Sequence, residues 1–171
     1  LLEHVSSTRS PIGMQGPIVK TYFAEKNNLD PHKIFNVTLT PCVAKKFEIA
    51  RSELKGAADY YQDDTIIDND VILCAREYAN LLRKKGLDNF AEMPQGHFDP
   101  LMGVGSGAGL IFGNTGGVME AAVRSAYYFV TGNEPPEDLL HLEAVRGLDG
   151  IKRATVNIPG AGEVKVVVAH G

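Results

Sequence analysis

The stretch IFNVTLTPCVAKKFE, residues 34–48, contains the change of backbone on which the fold turns. Ile34 to Leu39 is apolar or β-branched at nearly every position, a pattern that predicts a strand covered on both faces. Thr40-Pro41-Cys42 stops it, and a charged helical stretch starts at once at Ala44 and runs to about Leu54. A cysteine is thereby set at the carboxyl end of a buried strand and the beginning of a helix, where α/β sheets usually bind ligands. The free N–H groups of a helix start favour thiolate over thiol. Lys45 returns to the same side after about one turn and adds a cation. Cys42 can therefore serve as a metal-binding thiolate beside a donor kept for an anionic ligand. The same spacing also fits a buried structural cysteine next to a solvated lysine, and spacing alone leaves both readings open.

Upstream, Ser10-Pro11 combines an N-cap with proline at the first helical position. Gly13, Gly16 and Pro17 predict either a kink there or a helix that begins near Pro17 and runs to about Lys26. Downstream, residues 55–70 read as a polar, acidic surface loop, Val71–Leu73 as a short strand, and Ala75–Lys85 as a helix closed by Gly86. Residues 90–104 are loop-like. GSGAGLIFGNTGG, residues 105–117, leads into a helix over Val118–Thr131, in which Met119, Ala122, Val123, Ala126 and Val130 form one apolar stripe. Strands follow at Leu142–Arg146, Ala154–Ile158 and Glu163–Ala169, the last two joined into a hairpin by Pro159-Gly160-Ala161-Gly162. Strands alternating with helices before a hairpin predict an α/β chain with mixed sheets flanked by helices.

Of 171 residues, 44% are hydrophobic and 22% charged, too apolar a balance for a disordered chain. Cys42 and Cys74 cannot make a disulfide scaffold and point to a reducing, cytoplasmic setting. A net charge of −4 gives no basic footprint for nucleic acid. No apolar run approaches the ~20 residues of a membrane span. The glycine-rich stretch fails the GxGxxG spacing at Leu110 and has no P-loop lysine, which argues against a nucleotide site. The five histidines show no zinc-binding spacing. The chain starts without Met and stops straight after a strand-like run, so it reads as a piece of something longer.

PCVAKKFE (41–48) together with SGAGLIFGNTGGVMEAAVRSA (106–126) resembles the catalytic domain of the iron-iron (FeFe) hydrogenases. Ser10-Pro11, Lys20-Thr21-Tyr22, Arg76-Glu77 and VRGLDGIK (145–152) extend the likeness over nearly the whole chain. The resemblance implies that residues 1–171 are a central fragment of a two-lobed H-cluster domain with a C-terminal β-hairpin. It implies an H-cluster, a 4Fe-4S cubane joined to a two-iron subsite carrying CO and cyanide, and with it reversible proton reduction and dihydrogen oxidation. It makes Cys42 a cubane thiolate and Lys45 the donor to a cyanide. It sets Thr40 and Pro41 beside the two-iron subsite, Phe112 and Gly113 in the wall of its pocket, and Ser6 on the serine of a proton relay. Glu48 falls on a motif residue with a structural part. Implied partners are ferredoxin or an NAD(P)-linked electron-transfer subunit, and the H-cluster maturases.

The departures are equally specific. A cubane needs four ligands, and here only Cys42 matches one; the family's other motifs would precede Leu1 and follow Gly171. Thr40 stands where most of the family has Met, and Ile12 and Gly13 where a pair of glutamines is usual. These swaps keep a sensory, hydrogenase-like regulatory domain in view. A third reading is an iron–sulfur assembly protein of the Nar1 type, against which Lys45 argues, since such a scaffold has no cyanide to bind. Cys74 reads as a small buried hydrophobe rather than a spare ligand.

Overall fold

In the computed structural model, which describes residues 2–87 and 89–170, the chain divides into two compact units, Leu1–His97 and Phe98–Gly171. The first is built on a parallel pair, β1 (Val37–Thr40) and β2 (Val71–Cys74), in register from Val37 against Val71 to Thr40 against Cys74. A parallel pair needs a crossover, and α3 (Ala44–Ile49) and α4 (Gly56–Tyr61) lie within it. Among the described residues β1 is not covered on both faces as its composition suggests: Val37 and Leu39 are exposed. Apolar content over so few positions does not separate a doubly covered strand from one covered on a single face. The helix after Cys42 also stops at Ile49, a turn earlier than its charge pattern suggests.

The acidic stretch expected to be surface loop contains α4, with Ala57 and Ala58 buried. Its first amides are capped from twelve and eleven residues downstream: the Asp68 carboxylate accepts from Gly56 N–H at 2.9 Å and from Ala57 N–H at 2.8 Å. Asp68 and Asn69 are themselves buried.

The N-terminal helix begins at Ser10-Pro11 and does not restart at Pro17. α1 (Pro11–Ile18) passes through Pro17 into a wider π turn, Val19–Phe23, and then into α2 (Ala24–Lys26). A mid-helix proline removes a donor and crowds the preceding turn; here the ladder widens just after it, and Thr21 Oγ1 donates to the Pro17 carbonyl at 2.7 Å. Gly16 is a point of close approach. A Cβ there would fall 2.2 Å from Asn69 Nδ2, and Asn69 is fixed by Asn36 Nδ2 at 3.1 Å and by its own bond to the Ile12 carbonyl at 3.3 Å. Below it the buried Lys20 pairs with Asp70 at 3.0 Å and donates to the Ile34 carbonyl. α5 (Ala75–Lys84) follows β2 directly, and Glu77 accepts from the Cys74 N–H at 2.8 Å.

In the second unit, α6 (Gly107–Phe112) and α7 (Gly117–Thr131) precede an antiparallel sheet ordered β3 (Glu143–Ala144), β4 (Ile151–Ile158), β5 (Gly162–Ala169). The hairpin is in register from Ile151 against Ala169 to Ile158 against Gly162. Ala154, Val156 and Ile158 alternate inward, as strand periodicity requires. Val123 packs with Val156 and Ile158, surrounded by Met119, Tyr127, Leu139, Leu140, Val164 and Val166. α7 therefore packs Met119, Val123 and Tyr127 against the hairpin and also buries Ala121, while Ala122, Ala126 and Val130 of the expected stripe are exposed. The α/β class with flanking helices and a C-terminal hairpin is present as read from the sequence, the parallel and antiparallel pairings lying in two separate sheets. Among the described residues, no helix is long and apolar enough to cross a membrane.

Candidate functional site

Thr40 ends β1 opposite Cys74, and its Oγ1 accepts from the Cys42 N–H at 3.4 Å across Pro41. The Cys42 carbonyl accepts from the Lys45 N–H at 3.3 Å, closing the turn from which α3 springs. Strand end, Thr40 hydroxyl, Pro41 ring and this turn together hold Cys42, which is exposed, at the carboxyl edge of the parallel pair.

Lys45 Nζ donates to Glu48 Oε2 at 2.5 Å, one turn on along α3. Glu48 Oε1 accepts from Ser10 Oγ, and Ser10 Oγ accepts from the Gly13 N–H at 3.2 Å as the N-cap of α1. The bond from Lys45, then that from Ser10, holds the Glu48 carboxyl below the usual carboxylate range, because both favour its charged form. The adjacent lysine has another partner: Lys46 Nζ donates to Glu77 of α5 at 2.5 Å. The two lysines of the motif thus do different work.

Ser6 is exposed; its Oγ donates to Thr8 Oγ1 at 2.9 Å and accepts from the Thr8 N–H at 3.1 Å. It lines a hollow of about 430 Å³ with Thr8, Ser10, Glu48 and Arg51, so Ser6 and the carboxylate holding Lys45 face one space. Phe112 and Gly113 belong to the second unit. Phe112 closes α6 with 37% of its surface exposed. Gly113 has an ordinary helical φ of −75°, and nothing stands within 4 Å of where its Cβ would be. Its own backbone therefore does not demand glycine there.

In the first unit Thr40, Pro41, Cys42 and Lys45 lie together around one turn, and Ser6 is linked to them only through the hollow it shares with Glu48, the partner of Lys45. Ser10 is legible in the sequence as a helix cap and a motif residue, but its bond to Glu48 spans 38 residues, so no local pattern shows it. The Lys45–Glu48 pair is readable from i,i+3 helical spacing.

As a test of what the donor set can hold, a cubane takes four thiolates. The chain has two cysteines, and Cys74 is buried. Among the described residues no group of three or more His, Cys, Asp or Glu side chains converges on a metal-sized space. Cys42 fits as one corner of such a cluster, and the chain does not carry the full set.

The family described as "Iron only hydrogenase large subunit, C-terminal domain" matches residues 1–171. The periplasmic [Fe] hydrogenase large subunit of Nitratidesulfovibrio vulgaris is 50% identical over 171 residues, 100% of this chain and 38% of that protein. The NADP-reducing hydrogenase subunit HndD of Solidesulfovibrio fructosivorans is 39% identical over 171 residues, 100% of this chain and 27% of that protein. Among solved structures, a variant of the apo FeFe-hydrogenase from Chlamydomonas reinhardtii superposes with a TM-score of 0.70 at 37% identity, covering 98% of this chain and 47% of that one. This chain spans less than half the length of each.

Proposed function

This chain belongs to the iron-only hydrogenase family, matching the C-terminal domain of its large subunits, and from that premise we propose that the whole protein interconverts protons and dihydrogen at an H-cluster, with residues 1–171 as a central part of the cluster-binding domain. When bound, the 4Fe-4S cubane and its two-iron CO/cyanide subsite supply the redox iron for that chemistry. Cys42, presented at the sheet edge by Thr40 and Pro41, holds one corner of the cubane as thiolate. Lys45 has three ammonium protons. One goes to Glu48, which leaves two for a bound cyanide, and such a charge-assisted bond is stronger than a neutral one. Thr40 and Pro41 border the two-iron subsite. For Phe112 and Gly113 the support is the matched motif alone, which offers an apolar ring that could exclude water and a glycine that permits close backbone approach. Ser6 passes a proton, since a hydroxyl both accepts and donates.

The observation that carries this reading is the juxtaposition, three residues apart, of an exposed thiol and a carboxylate-held ammonium at the carboxyl edge of a parallel pair. The electron partner in this reading is an NAD(P)-linked subunit or ferredoxin, the former supported by the NADP-reducing relative, and maturases install the subsite. A cytoplasmic setting is proposed from the two unbridged cysteines; the periplasmic relative makes fractionation of whole cells the deciding measurement.

The test is anaerobic maturation of the full-length protein, read by infrared spectroscopy and dihydrogen evolution. CO and cyanide bands with steady evolution are expected. Cys42→Ala should abolish cubane assembly, and Lys45→Ala should impair retention of the two-iron subsite. Normal bands in Lys45→Ala would overturn the role given to Lys45, and a full-length protein without CO and cyanide bands would favour an assembly factor. A sensory domain is the second reading, supported by Thr40, whose hydroxyl is engaged with the Cys42 backbone where most of the family has Met; rapid evolution would exclude it.

A further inference from the structure

Lys45 is held from outside its own helix. Its side chain is only 27% exposed and that of Glu48 21%, so the pair differs from the surface ion pairs that hold nothing in place. A lysine stem has many rotamers, and restricting them costs entropy unless a fixed partner selects one. Glu48 is such a partner because its other oxygen is occupied. The Ser10 hydroxyl has one proton and two lone pairs. A lone pair is taken by the Gly13 N–H, and the proton goes to Glu48 Oε1. Oε2 is thereby left facing Lys45. Arg51, a nearby cation, is engaged with Glu53. The ammonium is thus located by the first turn of α1 as well as by α3.

We infer that Glu48 is a positioning residue that sets where the Lys45 ammonium stands, with Ser10 fixing Glu48 for that task. The inference rests on the proposed role of Lys45 as donor to the anionic two-iron subsite. It accounts for two features that role alone leaves unexplained: the pairing of a would-be ligand donor with a carboxylate, and the link between two elements far apart in sequence. Glutamine at 48 does not replace glutamate, because Ser10 and Lys45 use different carboxylate oxygens; in the amide one of them would face an NH2, itself a donor, and the charge that holds the ammonium is gone.

The experiment compares Glu48→Gln, Glu48→Asp, Ser10→Ala and Lys45→Ala in the matured full-length protein. It reads the cyanide and CO infrared bands, the iron retained after buffer exchange, and the melting temperature; side-chain nitrogen NMR of Lys45 is added in the metal-free protein. Glu48→Gln should shift and broaden the cyanide bands more than the CO bands. It should lower two-iron retention by about tenfold, the low end for removing an outer partner of a bound group, at a melting temperature close to the parent's. The Lys45 nitrogen should become mobile in the metal-free variant. Ser10→Ala should move the same readouts less, and Glu48→Asp should restore them in part. Parental cyanide bands and retention in Glu48→Gln, alongside altered ones in Lys45→Ala, would overturn the positioning inference and leave the donor role standing. Unchanged bands in Lys45→Ala would overturn the donor role itself and the inference with it. If Glu48→Gln does not fold, Ser10→Ala decides by the same readouts.

Discussion

At the scale of single residues, partners rather than types carry the meaning. His32 is one of five histidines with no motif around it, yet its Nδ1 stands 2.9 Å from Asp30 Oδ1 and its Nε2 3.0 Å from Asp63 Oδ2. A neutral imidazole has one N–H and can serve only one of these carboxylates, whereas the protonated ring serves both. The bond to Asp30, then that to Asp63, accordingly raises the His32 pKa above its ordinary 6.5. A raised folded-state value means that the contribution is fully present below pH 6.5 and is lost as pH rises through the folded value. We expect the ring resonances to titrate above 6.5 by NMR, and the exchange protection of Thr65 N–H, bonded to Asp63 at 2.9 Å, to weaken across that range. A ring that titrates at or below the ordinary value would refute this. Gly16 and Glu48 teach the same lesson from the sequence side. Gly16 is legible as a helix interruption, but its purpose is contact with the distant Asn69, and Glu48 is legible as a motif residue without its bond to Ser10. Cys42 and Lys45 are legible because strand end, turn and first helical turn are local.

At the scale of elements, sequence periodicity reaches regular segments and does not reach what depends on a distant cap. The hairpin and the inward alternation of Ala154, Val156 and Ile158 follow from a period of two and a Gly-rich turn. By contrast, α4 escapes a reading of the sequence because six residues give no helical period worth reading, and its N-terminal amides are satisfied by Asp68, beyond the end of the helix. The face of α7 differs from the expected stripe because its alanines fit either side, while Tyr127, half-buried against the hairpin, belongs to the core. Asp68 therefore governs whether α4 exists. Asp68→Ala leaves two amides without their acceptor, at a cost of about 2 kcal/mol by analogy with strong N-caps and charged hydrogen bonds. The expected outcome is that exchange of the Gly56 and Ala57 amides accelerates by roughly thirtyfold, while the amides of β4 and β5 in the other unit keep their parental rates. Unchanged exchange at Gly56 and Ala57 would show that water replaces the carboxylate without loss.

At the scale of the whole chain, the ligand count decides what it can do alone. The long glycine-patterned string at 106–126 and the PCVAKKFE motif make the family legible over 171 residues. The sequence has two cysteines and the structure exposes one of them, where a cubane takes four thiolates. In the proposed reading the other corners come from the rest of a longer polypeptide. Residues 1–171 incubated anaerobically with iron and sulfide should therefore retain no stoichiometric 4Fe-4S cluster, measured as iron and acid-labile sulfide per chain after gel filtration. The full-length protein treated identically should retain it, and Cys42→Ala in that protein should lose it. Cys74→Ala should keep it, because that thiol is buried where β2 meets α5 and serves packing. A stoichiometric cluster on residues 1–171 alone would mean that ligands other than thiolates complete the site, and would remove the reason for seeking the other three corners elsewhere.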